Sequence, residues 1–558
     1  MNQLLRLAYY CLLPLFTTVV LADNRPNIVL IVADDVGYSD IGAYGGEIRT
    51  PNIDMLANEG ILLSNFHAAP TCGPSRAMLL TGIDHHRVGA GANVAGLMRL
   101  PQLRGLPGYE GYLNDNVVTF PRLLQDAGYH TFMTGKWDPG RGPGKMPVDR
   151  GFEKSWVLAG GGASHFSDAT GTFKATAKAH YFEDENEIES LPDDFYSSKS
   201  YTDKLIEYVN AVDDDNPIMA YLSFTAAHWP LQVPDDWIDK YAGAYDGGWQ
   251  ALRESRFAKQ KELGVIPNHT QLPAQNRAVG DWDSLAPMQR KIETRRMEIY
   301  AAMIENMDYH IGRFLDNMRE RYPDRETIVI FLSDNGSEGN AVQKIIGNDK
   351  WIPERFNNSL ENMGRVDSYV WVGAGWAQAN VTPFRIYKSY TTGGGIRTPA
   401  IIASSKGRFS PKVSDGLMVI RDIAPTILDI AGVTPPVETY KGKSVLSISG
   451  KSALPFLQGK SKSIHANEAL GWEVYGSRAL IKDEWKAVRI YPPEGSGEWE
   501  LFNLKTDPTE TTNLADDFSA VLDELIGDWD QYANDNGVAV FDEDIGYGRY
   551  ADKIPTSH

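Results

Sequence analysis

Two stretches of this chain run from apolar residues straight into oxygen donors. "NIVLIVA" (27–33) is followed by Asp34-Asp35, and "TIVIFLS" (327–333) by Asp334-Asn335. Carboxylate and amide oxygens suit hard cations such as calcium or magnesium, whereas zinc recruits histidine or cysteine. One acidic pair closing a strand is an ordinary turn or cap. Two such pairs at one edge repel each other, and a cation is the natural compensation. Oxygen ligation alone leaves calcium and magnesium both open.

A third stretch, "PTCGPSRAMLLTG" (70–82), holds Cys72; the other cysteine of the chain is Cys11. A lone cysteine is by default a small buried apolar residue. Here Pro74 and Ser75 can open a helix that ends near Gly82, with Cys72 at its N-terminus. Free backbone N–H groups and the helix dipole favour an anion there. Arg76, on the first turn, adds a fork of donors matched to tetrahedral oxyanions. A nucleophile, a cation and an anion cradle so close together suit displacement on sulfur or phosphorus.

The elements that must position these groups read as a strand–helix alternation. "HTFMT" (130–134), "IMAYLSF" (218–224) and "PAIIAS" (399–404) join the two runs above as strands buried on both faces. Helices are expected from Pro51 to Gly60, from Thr119 to Gly128, and from about Met288 to Arg321. The pattern implies an α/β sandwich around a central, mostly parallel sheet. "HTFMT" leads into Gly135-Lys136-Trp137 and "IMAYLSF" into Thr-Ala-Ala-His228-Trp-Pro. Four strands therefore deliver chemistry to their carboxyl ends, where open α/β sheets bind ligands. After the helix expected in "IRDIAPTILDIAGV" (420–433), Pro435-Pro436 reads as a linker. "SRALIKDEWKAVRI" (477–490) and "WELFNL" (499–504) read as two hairpin strands. The chain thus divides into a leader (1–22), a catalytic domain (23–434) and a smaller α+β domain (435–558).

The leader combines Arg6, a short apolar core and small residues at Val20 and Ala22, a pattern of export to the periplasm or medium. That core is too short for a membrane span, and no other segment approaches one. Two cysteines exclude a disulfide framework. A net charge of −19 argues against nucleic acid and acidic membranes as general partners. Any anionic substrate must then be drawn in by a local cationic pocket. Asn268, Asn357 and Asn380 each open a glycosylation sequon.

"CGPSRAMLLTG" resembles the Cys-x-Pro-Ser-Arg…Leu-Thr-Gly signature of type I sulfatases, in which the cysteine becomes formylglycine. "NIVLIVADDVGYSDIGAYGG", "TGKW", "AAHWPLQVP", "FLSDNGSEG", "TPFRIYKSYTTGGGIRTPAI" and "LFNLKTDPTETTNLAD" are similar to bacterial arylsulfatases of the alkaline-phosphatase superfamily. The resemblance implies that Asp34, Asp35, Asp334, Asn335 and modified Cys72 bind one calcium ion. It implies that Arg76 orients the hydrated aldehyde, that Lys136 and Lys388 hold sulfate oxygens, and that His228 protonates the leaving group. It implies sulfate-ester hydrolysis through a covalent formylglycine-sulfate, a formylglycine-generating or sulfatase-maturating enzyme as partner, and a sulfated small molecule or glycan as substrate. One position departs: the family reads Gly-Lys-Trp-His, whereas this chain has "GKWDPG", which offers Asp138 as the base for collapse of the intermediate. The same signature occurs in phosphonate and phosphate ester hydrolases, and an inactive sulfated-glycan-binding protein is a further reading. A plain cysteine hydrolase would leave the oxygen set unexplained.

Overall fold

The computed structural model describes residues 24–542, without 278 and 346, together with residue 545. The leader, 1–22, lies outside the described residues. Among those described, no helix is long and apolar enough to cross a membrane.

Ten strands form the main sheet: β1 (Asn27–Ala33), β2 (Ile61–Leu63), β3 (His130–Lys136), β4 (Lys154–Leu158), β5 (Tyr181–Glu183), β6 (Asn186–Ile188), β7 (Ile218–Ser223), β8 (Thr327–Ser333), β9 (Ala400–Ser404) and β10 (Lys412–Ser414). Their order is β10-β2-β9-β8-β1-β7-β3-β4-β5-β6. The five central strands, β8 to β4, are parallel. On one side β9 runs antiparallel to β8, and on the other β5 and β6 form an antiparallel margin. Every residue of β1, β7 and β8 is buried, which is why these strands read as unbroken apolar runs.

Helices α1 (Pro51–Glu59), α2 (Cys72–Thr81), α3 (Phe120–Asp126), α4 (Ser197–Asn210), α5 (Gly248–Glu262), α6 (Pro287–Arg321) and α7 (Ile423–Ile430) cover the sheet. The 35-residue α6 packs against α1 and α4, while α2, α3 and α7 pack on one another. The expected helix at Cys72 is present. It starts at Cys72 and is closed by Gly82 in the left-handed conformation, its N–H donating to the Met78 carbonyl.

A second, antiparallel sheet follows: β11 (Leu470–Val474), β12 (Ser477–Lys482), β13 (Trp485–Arg489) and β14 (Trp499–Asn503), backed by α8 (Ser519–Asn536). Residues 477–490 therefore do not form one strand. They fold into a hairpin, because Asp483 takes a left-handed φ of 52° and reverses the chain. Of the three sequons, Asn380 is fully buried in the folded protein and closed to a glycan, whereas Asn268 and Asn357 are exposed.

Candidate active site

The carboxyl ends of β1, β8, β7 and β3 meet at one point, and the N-terminus of α2 faces them. β1 and β8 are in direct register, so Asp34-Asp35 and Asp334-Asn335 leave the sheet side by side. Asp35 sits at φ 60°, a left-handed conformation that aspartate tolerates better than most residues. Its N–H lies 3.3 Å from Asp334 Oδ1. Ligand atoms of Asp34, Asp35, Cys72 and Asp334 all lie within 4.8 Å of one another. Cys72 Sγ is 3.4 Å from Asp34 Oδ1 and 3.7 Å from Asp35 Oδ1.

Three cations are paired with the three carboxylates of the cradle. Lys136 Nζ, from the end of β3, donates to both Asp34 oxygens at 3.0 and 2.8 Å. Lys388 Nζ donates to both Asp35 oxygens at 2.7 and 2.9 Å and lies 3.5 Å from Glu338. Arg76 Nε donates to Asp334 Oδ2 at 2.9 Å, while its Nη1 reaches Ser223 Oγ at 2.5 Å and the Lys136 carbonyl at 3.2 Å. All of these groups are buried. Burial pushes Asp34 up to about 7 against the pull of Lys136. For Asp35 burial also acts upward, but Lys388, His228 and Lys136 together hold it well below the usual carboxylate range. Burial, reinforced by Asp334, pushes the Cys72 thiol well above its ordinary value. An unmodified thiol here is thus a weak nucleophile at neutral pH.

His228 follows β7. Its Nδ1 lies 2.6 Å from the Trp229 carbonyl, which can only accept, so Nδ1 carries the proton. Nε2 faces the site, 3.8 Å from Asp35 Oδ2. Burial lowers the imidazole well below its usual range, and Asp35 acts in the opposite direction. Asp138 sits just past β3 at φ 71°. A Cβ added at Gly73, the residue after Cys72, would lie 3.5 Å from Asp138 Oδ2. The structure therefore brings every candidate ligand and catalytic residue named from the sequence to one place.

The donor set fits a hard dication. It is made of oxygens, and Asn335 Oδ1 is a buried carbonyl oxygen with no hydrogen-bond partner, although its Nδ2 donates to Asp35 at 2.7 Å. With Glu338 counted, four carboxylates face three cations, and a dication would turn that net charge positive and so make the site a receptor for an anion.

Sequence reasoning passed over two groups of supporting residues. Glu338, inside "FLSDNGSEG", lies against Lys388 and accepts from the Asn340 N–H at 2.8 Å. Arg256 on α5 joins Asp40 at 2.6 Å and Glu47 at 2.7 and 2.9 Å. The Tyr300 hydroxyl then links Asp40 Oδ2, at 2.7 Å, to the Asp35 carbonyl, at 3.1 Å. An arginine amid a charged helical tract carries no local mark of burial, so only the folded arrangement exposes this chain of contacts.

A parallel sheet with an acid-lined cation cradle beside a helix-borne Cys-x-Pro-Ser-Arg defines a hydrolase of the alkaline-phosphatase-like class. The family model described as Sulfatase matches residues 26–433, and one described as N-sulphoglucosamine sulphohydrolase, C-terminal, matches 387–528. The chain belongs to the sulfatase family and hydrolyses sulfate esters. It is 41% identical over 539 residues to an uncharacterised sulfatase of Schizosaccharomyces pombe, covering 94% of this chain and 96% of that one. It is 38% identical to an arylsulfatase of Klebsiella aerogenes, covering 79% and 94%. Among solved structures, Ps i-CgsB bound to a neocarrahexaose aligns with a TM-score of 0.65 at 23% identity, covering 93% and 95%, a likeness of fold.

Proposed function

We propose that Cys72 is the precursor of formylglycine, that the oxygen set holds one calcium ion, and that the chain acts after export on a sulfated aryl compound or carbohydrate. The convergence of three carboxylates and the unpartnered Asn335 oxygen on Cys72 carries this reading. Asp34, Asp35, Asp334 and Asn335 would hold the ion with residue 72, and its charge would polarise the ester and acidify a nearby hydroxyl. The hydrated aldehyde supplies two hydroxyls on one carbon, one to attack sulfur and one to let the enzyme release sulfate. The buried, proton-retaining thiol explains why an unaltered cysteine would serve poorly in that place.

The remaining roles fall to side chains in position. Arg76, fixed by Asp334 and Ser223, would orient the hydroxyls of residue 72. Lys136 and Lys388 would hold sulfate oxygens and offset the charge that builds on them. His228 would first take a proton at Nε2, the nitrogen nearest Asp35, once the anionic ester is bound, and as the imidazolium would give it to the departing oxygen. Asp138 would accept the proton of the second hydroxyl, the step that restores the aldehyde and expels sulfate. The leader-like make-up of residues 1–22 supports export, and a formylglycine-generating or sulfatase-maturating enzyme is then the obligatory partner.

Mass spectrometry of the Cys72 peptide, with kcat/KM on 4-nitrophenyl sulfate and 4-nitrophenyl phosphate before and after chelation, tests the proposal. The expected result is an aldehyde at residue 72, preference for sulfate, and activity lost to chelator and restored by calcium. An intact thiol in fully active protein would overturn it.

A further inference from the structure

The closing motif "LFNLKTDPTETTNLAD" takes no part in the chemistry described so far. It leaves β14 and turns at Asp507, whose Oδ2 accepts from the N–H groups of Thr511 and Thr512 at 2.7 and 2.8 Å. The turn presents Glu510 in a left-handed conformation, φ 59°, with only 4% of its surface open. The Glu510 carboxylate accepts from Lys486 Nζ of β13 at 2.6 Å, from Arg385 Nε at 3.0 Å and from the Gly393 N–H at 2.9 Å. Burial acts to raise this carboxyl, but Lys486 and Arg385 hold it below its ordinary value, so the group is charged.

Arg385 and Gly393 stand at the two ends of the loop that carries Lys388. Between them Ile386 has φ 58° and Ser389 φ 75°. A β-branched residue in that region is an outlier, and strained backbone persists only where its surroundings over-determine it. The surroundings here come from two sides. On the side of the main sheet, the Lys388 N–H donates to the Ser337 carbonyl at 3.1 Å and the Ser389 N–H to the Pro70 carbonyl at 2.8 Å. From the C-terminal sheet, Ser477 Oγ on β12 accepts from the Thr391 N–H at 3.0 Å, and Glu500 on β14 accepts from Arg385 Nη2 at 2.7 Å. Neutralising Arg385 and Lys486 would call for no contact with Gly393. That third bond fixes the far end of the loop.

From this we infer that Glu510 is a positioning residue for catalysis: by tying both ends of the loop from Arg385 to Gly393 it fixes Lys388 at Asp35, which makes the C-terminal sheet a working part of the active site. The inference rests on the role given above to Lys388. Misplacing a reacting or charge-bearing group by about 1 Å can cost on the order of 10²-fold in rate, even when the change lies far from the chemistry.

The test is a double-mutant cycle on kcat and KM for 4-nitrophenyl sulfate, in proteins matched for folded content by circular dichroism. Glu510→Gln keeps the side-chain size and removes the charge. It should lower kcat/KM by about tenfold or more in otherwise wild-type enzyme, but by less than about twofold in a Lys388→Ala background, where the loop has no ammonium to place. The loss should fall on kcat, since Lys388 meets charge that builds in the transition state. Ser477→Ala removes one hydrogen bond of the same grip; it should show the same pattern more weakly, and it provides the readout should Glu510→Gln not fold. Equal losses in the two backgrounds, a loss confined to KM, or no loss in either folded variant overturns the positioning role. Undiminished kcat/KM in Lys388→Ala overturns the reading of Lys388 itself, and the clamp with it.

Discussion

Lys136 and Lys388 each close on one carboxylate of the Asp34-Asp35 pair, occupying the oxygens that a cation would need. A divalent cation entering the site would compete with two ammonium groups and release them to hold the substrate's sulfate. Metal and sulfate affinity are then coupled, and the coupling is reciprocal. Titration calorimetry should show inorganic sulfate binding at least about tenfold more tightly with calcium saturating than after chelation; equal affinities would contradict the coupling. Asp138→Asn keeps the side-chain volume and removes the carboxylate proposed as the base. It should lower kcat by roughly 10²-fold while a rapid first turnover survives in stopped-flow, since formation of the sulfate ester does not need that base. Loss of the burst as well would place Asp138 in the first step. The residues that meet at the candidate site were legible in the sequence, because each directly follows an apolar run or lies within a distinctive motif. Glu338 was in plain view in such a motif but lacked an assigned task, since only the fold places it beside Lys388.

At the scale of elements, α5 acts on the site without touching it. Arg256 neutralises buried Asp40, and Asp40 with Tyr300 fixes the carbonyl of Asp35 in its left-handed conformation. Arg256→Ala would leave Asp40 buried and unpaired, at a cost of roughly 3–5 kcal/mol in stability. Differential scanning calorimetry should show a clear fall in Tm. Calcium affinity, measured separately on the folded variant, should fall too, and an unchanged affinity would reduce Arg256 to a structural role. The central strands were legible because burial on both faces writes a continuous apolar run. The margin was not. β5 and β6 are three residues each, and β6 is exposed, so neither rises above loop texture. The β12–β13 hairpin was hidden for a different reason. Its reversal rests on Asp483 in a left-handed turn, and Lys-Asp-Glu reads equally well as the polar middle of one strand.

Across the whole molecule, the loop after α2 and the C-terminal sheet are joined by a buried ionic contact. His86 Nδ1 lies 2.9 Å from Asp84 Oδ1 and its Nε2 lies 3.1 Å from Glu473 Oε2 on β11, while Tyr532 of α8 donates to Asp84 at 2.8 Å. Burial alone would lower the His86 pKa, but hydrogen bonds to Asp84 and Glu473 raise it to about 9. A folded-state value above the unfolded one of about 6.5 means that the charged pair stabilises fully below that pH and loses its effect as pH rises through about 9. The contribution is up to about 3 kcal/mol. The Tm advantage of wild type over His86→Gln should accordingly shrink between pH 6.5 and 9.5; a gap that is flat across that range would remove His86 from the account. The depth at which residue 72 lies has a consequence for sequence of events in the cell. Only 5% of its surface is open, and Asp34, Asp35 and the first turn of α2 enclose it. A catalyst large enough to oxidise that side chain has no approach once the molecule has closed. On the proposed conversion of residue 72, the editing would have to happen on the still extended polypeptide, and a chain that collapsed first would be sealed in its inert form.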